Sequence, residues 1–249
     1  MNSYSYSMLS AAYRCNRYFR LVYVDKLKPT AITKSADLVY GSSIHFALEN
    51  YLKDGDDPVE SFKAYWAPEA ANLEYGRHIQ GCLESNAETL LSRFVRLHAK
   101  KFKVHQMEER LYGTIREGST VRLEGTPDLL GEYEGTPSVV DFKTSGYRYP
   151  KEKIFLNEQM FLYAHLARQA GYNVKQLVYY VFIKGNTPSI QTLALPLEDD
   201  YLKKVLANIE IQCDNLDKLR ESGQWSYNSN SCQMGERKCD YFEHCWKTK

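Results

Sequence analysis

The stretch that most constrains the fold is LEGTPDLLGEYEGTPSVVDFKTS, residues 123–145. Apolar runs flank Glu134-Gly135, where glycine's tolerance of positive φ predicts a tight turn and an antiparallel hairpin. With a two-residue turn, opposed positions sum to 269, which sets Asp128 across from Asp141. Opposed residues carry Cβ atoms ~5 Å apart on one face. Lys143, two residues beyond Asp141, projects to that same face. Two carboxylates and an ammonium therefore converge. Carboxylates that close repel unless a cation lies between them, and a divalent metal is the obvious candidate.

The 249 residues are enough for one sizeable domain, or one core with lobes, with a proper interior. With 32 basic and 31 acidic side chains the net charge is near +1. Overall charge announces no nucleic-acid partner, so any basic surface must be a local patch. The N-terminus MNSYSYSMLSAAYRC lacks the apolar core of a signal peptide, and no run of eighteen apolar residues occurs. The expectation is a soluble, cytoplasmic protein. Six cysteines then argue for thiols or metal ligands rather than disulfides.

Hydrophobic period predicts helices over Ser7–Leu21, Lys34–Leu52, Val59–Trp66 and Asn72–Ala99. The second carries Leu38, Gly41, Ile44, His45, Leu48 and Leu52 at helical spacing. Alternation predicts strands over Lys103–Tyr112, Thr120–Leu123 and the hairpin. A helix over Ile154–Ala170 follows, then strands Gln176–Ile183 and Ser189–Leu195 about a turn at Gly185-Asn186. A long helix, Asp199–Ser222, leads into an irregular tail that bears cysteines. This order fits an α/β sandwich with a helical lobe.

Asp128, Asp141 and Lys143 read as a metal-dependent hydrolytic site. Carboxylates would hold Mg²⁺ or Mn²⁺, and the metal would activate a water. Lys143 would orient or deprotonate that water and stabilise developing charge. The plain alternative is a turn at Pro127-Asp128 and a solvated Asp141/Lys143 ion pair. The apolar neighbours Val139, Val140 and Phe142 favour function, because a buried charge cluster needs a reason.

The chain resembles the RecB-like branch of the PD-(D/E)xK nucleases, the restriction-endonuclease-like superfamily, over nearly its whole length. The resemblance rests on an ordered set: Gly41-x-x-x-His45, Glu109, Gly125-x-x-Asp128, Asp141-x-Lys143 in VVDFKTS, and Gln159-x-x-x-Tyr163. It implies a restriction-endonuclease-like mixed β-sheet flanked by helices, with an N-terminal helical lobe and a Cys-bearing C-terminal tail. All 249 residues would form one nuclease domain: 1–100 a mainly helical lobe, 101–198 the catalytic sheet core, and 199–249 a helix and metal-cluster tail. It further implies that His45, Asp128, Asp141 and the Phe142 carbonyl hold the metal, and that Lys143 is catalytic. Gln159 and Tyr163 would lie beside the site and contact the DNA backbone. Glu109, rather than its neighbour Glu108, is chosen by the resemblance alone. The implied activity is a metal-dependent deoxyribonuclease, an exonuclease acting in recombination, repair or CRISPR adaptation. Partners would be single-stranded DNA or duplex ends, with a helicase, an annealing protein or a CRISPR adaptation protein. Two other readings stand beside it: a DNA-end-binding subunit with weak or no cleavage, and a structural zinc or iron–sulfur interaction protein.

Cys232, Cys239 and Cys245 crowd the polar tail, and Cys15 stands alone near the N-terminus. A tail with three thiols and no core of its own would gain order from a metal. In relatives of this branch, one N-terminal and three C-terminal cysteines hold a [4Fe–4S] cluster, which assigns these four as its ligands. The spacing here is C-x6-C-x5-C, where C-x2-C-x5-C is common, and Zn²⁺ stays open as the alternative. Cys82 and Cys213 read as small buried hydrophobes. Arg14, Arg17, Tyr18 and Arg20 interleave basic and aromatic groups. So do Tyr147, Arg148, Tyr149 and Lys151, directly after the catalytic strand. Tyr147, Arg148, Lys151 and Arg17 are the candidates for gripping nucleic acid.

Overall fold

The computed structural model describes residues 3–29, 34–76, 78–234 and 237–247. In chain order its strands are β1 Ser3–Tyr4, β2 Phe102–Met107, β3 Leu111–Thr114, β4 Arg122–Gly125, β5 Leu129–Tyr133, β6 Thr136–Ser145, β7 Gln176–Ile183, β8 Ser189–Pro196, β9 Gln233–Met234 and β10 Arg237–Lys238. The helices are α1 Tyr6–Arg14, α2 Asn16–Phe19, α3 Ala36–Asp54, α4 Pro58–Ala70, α5 Gln80–Leu97, α6 Glu152–Phe155, α7 Glu158–Gln169, α8 Asp199–Ser222 and α9 Phe242–Trp246. None of the described helices is long and apolar enough to cross a membrane.

Two compact units emerge. One contains Thr33–Leu111 and Gly125–Leu202, the other Met1–Ile32, Tyr112–Glu124 and Lys203–Lys249. The helices before residue 100 thus divide between the two.

The larger unit is built on a five-stranded mixed sheet of order β2-β5-β6-β7-β8, in which only β6 and β7 run parallel. The sequence of β7, QLVYYVFI, is buried from its second residue onward. Such an unbroken apolar run marks a strand covered on both faces. Val140, Phe142, Val178, Tyr180 and Phe182 form one continuous core with buried side chains of α3, α4 and α5. The capping chemistry is legible. Ser35 accepts from the Leu38 N–H at the start of α3, and Gly55 ends it at φ 79°. Asp57 accepts from two N–H groups at the start of α4, ahead of Pro58.

The expected Asn72–Ala99 helix begins only at Gln80. Glu74 instead exchanges backbone hydrogen bonds with Lys34 and Ala36, and Gly76 takes a left-handed φ of 55°. Arg77, inside that expected span, lies outside the described residues. The Ile154–Ala170 helix is split, because Asn157 is extended and caps α7 through the Gln159 N–H.

The smaller unit packs β1, β4 and β3 in a second sheet in which β1 and β4 are parallel. Tyr4 is buried, its hydroxyl bonded to Asp217 and to Arg220 at 2.7 Å. The expected Ser7–Leu21 helix breaks at Cys15, which is extended between α1 and α2, and a π-helical turn spans Arg20–Val24. Cys213 is buried on α8 in the row Val205, Ile209, Cys213, Leu216. Cys82 is a correction: it is exposed. It follows Ile79, itself 70 % exposed, on the solvent side of α5 while Leu83 and Ala87 face the core.

Candidate active site

Glu134 and Gly135 both adopt positive φ, 49° and 79°. This is the hairpin turn whose twist suits two antiparallel strands. Pairing runs from Leu129↔Val140 to Tyr133↔Thr136, the predicted register, so Asp128 follows across from Asp141. Asp128 Oδ2 accepts from the Phe142 N–H at 2.6 Å. That bond ties the carboxylate to the backbone between Asp141 and Lys143. Asp141 is 1 % exposed, and its Oδ2 lies 2.5 Å from Lys143 Nζ.

Two glycines let the neighbouring helices approach. A Cβ on Gly41 would stand 3.3 Å from Thr144 Oγ1, so glycine allows α3 to lie close on β6. One turn later His45 meets Phe142 edge-on, with ring centroids 6.4 Å apart. A Cβ on Gly125 would sit 2.7 Å from Tyr163 Cε1 and 3.2 Å from Leu166 Cδ1. Gly125 therefore admits the Tyr163 ring. Tyr163 accepts from Gln159 Nε2 at 2.8 Å, one turn earlier on α7.

His45 Nδ1 lies 3.5 Å from Asp128 Oδ1 and 3.9 Å from Glu108 Oε1. One ligand atom each from His45, Glu108 and Asp128 falls within 4.8 Å of the others. Glu109 is a correction. Its carboxylate takes the Gln106 side-chain amide instead, and Glu108 joins the cluster. The cause is local: the β2 register shifts between Val104 and Gln106, and Glu108 adopts a left-handed φ of 51°. Strict alternation cannot foresee either. The one signal in the sequence is that two adjacent glutamates offer the choice.

The charge balance bears on whether these residues suit a metal. Burial and the like charge of Asp128 push the Asp141 carboxyl up, against the pull of Lys143 and His45. For Lys143, burial alone would depress the ammonium, but Asp141 and Asp128 outweigh it and raise it. Burial would likewise depress His45; hydrogen bonds with Asp128 and Glu108 and the charges of Asp128 and Asp141 carry it up to about 10. Tyr163 is pushed up to about 12, first by burial and further by Asp141 and Asp128. The negative charge gathered here thus favours the protonated forms of His45, Lys143, Asp141 and Tyr163. Three carboxylates and an imidazole are the donors a hard or borderline divalent ion takes, and the imidazole tilts the choice towards Mn²⁺.

Beyond β6, Tyr147, Arg148 and Lys151 are exposed. The loop is pinned by Tyr149, whose N–H and carbonyl exchange hydrogen bonds with the Gln191 amide at 2.8 and 2.9 Å.

In the smaller unit, Cys15, Cys232, Cys239 and Cys245 line one small cavity with Arg14, Tyr18 and Tyr241. β9 and β10 pair antiparallel, and the Cys239 N–H donates to the Cys232 carbonyl at 2.9 Å. The pairing of β9 with β10 thus returns Cys239 to Cys232. The Asn228 N–H points at Cys15 Sγ, 3.3 Å away. Burial pushes the Cys245 thiol up, Arg17 opposes it, and the other three thiols add to it. Arg17 therefore stands beside the thiols. Four sulfurs around one cavity fit a four-thiolate metal centre.

The mixed sheet flanked by helices is a restriction-endonuclease-like fold. Residues 3–246 match the family described as the PD-(D/E)XK nuclease superfamily; the chain belongs to that superfamily. Among solved structures, it is similar to one from Eubacterium rectale named "Putative exonuclease", with TM-score 0.65 and 16 % identity over 99 % of this chain and 89 % of that one. This likeness is one of fold. More distant matches are SSO0001, with TM-score 0.33 and 13 % identity over 77 % and 74 % of the two chains. LHK-Exo, solved in complex with dAMP, has TM-score 0.31 and 9 % identity over 76 % and 98 %. No curated protein matches the sequence.

Proposed function

We propose that this protein is a metal-dependent DNA exonuclease whose metal is held by His45, Glu108, Asp128, Asp141 and the Phe142 carbonyl. The observation that carries this reading is the meeting of His45, Glu108 and Asp128 within 4.8 Å, next to the buried Asp141–Lys143 pair. A bound divalent ion supplies a Lewis acid and a water of lowered pKa. Lys143 keeps its ammonium beside Asp141, where it offsets charge developing on the scissile phosphate. Asp128 stays oriented through the Phe142 N–H. Gln159 and Tyr163 contribute polar groups that position the DNA backbone, while Tyr147, Arg148, Lys151 and Arg17 bind phosphates and stack on bases. Exonuclease action, rather than endonuclease, draws on the name of the Eubacterium rectale protein.

We further propose that Cys15, Cys232, Cys239 and Cys245 hold a [4Fe–4S] cluster, supported by the cavity they share. Anaerobically purified protein should be brown, absorb near 400 nm and contain iron; colourless protein with stoichiometric zinc would replace the cluster with Zn²⁺.

The nuclease test uses end-labelled single- and double-stranded DNA with Mn²⁺ or Mg²⁺, comparing wild type with Asp141→Ala and Lys143→Ala. Wild type should degrade DNA only with metal, and both variants should be inactive yet folded. Full activity of Asp141→Ala would end the proposed mechanism.

A further inference from the structure

We propose that the groove beside His45 receives an unpaired base of the substrate strand, stacked against Phe46 and Tyr65, which makes single-stranded or frayed DNA the preferred substrate. The inference rests on the nuclease reading above and names its substrate class. The groove has a volume of about 480 Å³ and is lined by Gly41, His45 and Phe46 of α3, Tyr65 of α4 and Thr144 of β6, among others. It is an open groove rather than an enclosed cavity.

His45 belongs to both this groove and the carboxylate cluster, so an occupant would sit next to the atom under attack. Phe46 is the next residue of α3, half-buried. Its ring lies 5.2 Å from that of Tyr65, centroid to centroid. Tyr65 is 41 % exposed. An aromatic pair beside a proposed metal, with Tyr65 substantially exposed, can serve as a stacking surface, and every base has a π-face to offer it.

The lining also separates base from phosphate. None of the groove-lining residues is lysine or arginine; its carboxylates, Asp37 and Glu49, are paired with Lys184 and Lys53, and His45 is engaged with Asp128. The phosphates have their cations instead at Lys143 and along the exposed Arg148 and Lys151 that follow the same strand. Thr144 and Lys143 are adjacent on β6 and so face opposite ways, which separates a base path from a phosphate path at a single strand. A base inside a duplex is stacked on both sides, and it can reach Phe46 and Tyr65 only after leaving its partner.

The test uses three end-labelled probes of equal length: a mixed-sequence single strand, its duplex, and a strand of abasic tetrahydrofuran units. Binding is measured by fluorescence anisotropy in EDTA, cleavage in Mn²⁺, for wild type, Tyr65→Ala, Phe46→Ala and Tyr65→Phe. Both alanine variants should bind the mixed single strand roughly 5- to 150-fold more weakly and the abasic strand as wild type does. Tyr65→Phe, which keeps the ring, should match wild type. Tyr65→Ala is at an exposed helical position, so the test stands on it even if Phe46→Ala fails to fold. Unchanged single-strand affinity in Tyr65→Ala, or an equal loss on the abasic strand, overturns the proposal while leaving metal-dependent cleavage intact. If instead no probe is cleaved in Mn²⁺ yet Tyr65 still discriminates base from abasic strand, the nuclease reading falls and base binding stands.

Discussion

Gly125→Ala tests why the Gly-x-x-Asp spacing begins with glycine. The added methyl would meet Tyr163 Cε1 at 2.7 Å, Cδ1 at 2.8 Å and Leu166 Cδ1 at 3.2 Å. The Tyr163 ring is 8 % exposed and sits on a helix whose neighbours Leu162, Ala164 and Leu166 are fully buried, so it has little room to retreat. Inserting a methylene-sized group into such packing costs about 1–3 kcal/mol. For a chain of this size each kcal/mol lowers Tm by roughly 2–4 °C, so the variant should melt about 2–12 °C below wild type by differential scanning calorimetry. Nuclease rate should fall as well, because the Tyr163–Gln159 pair shifts and Asp128 lies three residues on. A double-mutant cycle isolates the contact. Tyr163→Ala alone loses aromatic packing, but adding Gly125→Ala to it should cost much less than in wild type, since the two closest contacts have gone and only Leu166 Cδ1 at 3.2 Å remains. Additivity of the two substitutions within about 0.5 kcal/mol, or a Gly125→Ala protein that melts like wild type, would refute the argument.

Mn²⁺ at about a hundred times its Kd should stabilise wild type by roughly 2.7 kcal/mol, a rise of about 5–11 °C in Tm at roughly 2–4 °C per kcal/mol; Asp128→Asn should show no such rise in a fluorescence melt. A thiol reagent at pH 8 should modify exposed Cys82 first in the metal-loaded protein. Cys213, whose thiol burial pushes up to about 12, should stay unmodified, and Cys82→Ser should remove the fast phase while Cys213→Ser leaves it. Burial, Lys101 and Arg93 depress His98 below its ordinary 6.5. As pH falls below about 6.5 the unfolded chain therefore binds this proton first, and stability declines until the lower folded value is passed. Urea midpoints between pH 7.5 and 5.5 should fall less in His98→Gln than in wild type; parallel slopes would exclude His98 as a source.

Much of the carboxylate cluster was legible because its signals are local. A Glu-Gly turn between two apolar runs sets a hairpin register, and register sets which side chains oppose. Asp128 and Asp141 needed nothing more, and the β7–β8 pair and α8 follow from runs of apolar residues with clear ends. Glu108 was not legible, because its placement depends on a bulge in β2 and one left-handed residue, neither of which composition marks. The break at Cys15 was equally hidden: α1 and α2 read as one amphipathic period, and no local signal marks Cys15 as extended. Cys82 was misjudged because helical spacing after Ile79 identifies a face without saying whether that face meets core or water.

The amino-acid sequence by itself determined the elements whose reasons lie within a few residues: the hairpin and its register, the caps of α3 and α4, the glycines, and the order of motifs that marks a nuclease of this superfamily. Tertiary structure alone decided what depends on residues far apart in the chain. It brought His45 and Glu108 to Asp128, set the Tyr163 ring on Gly125, returned Cys239 to Cys232 around the cavity that Cys15 also lines, and set Phe46 and Tyr65 together in the groove that His45 lines. The physical reason is the range of the forces involved. Turn and capping preferences act through neighbouring dihedrals, whereas convergence of charges and rings depends on packing that no local pattern encodes.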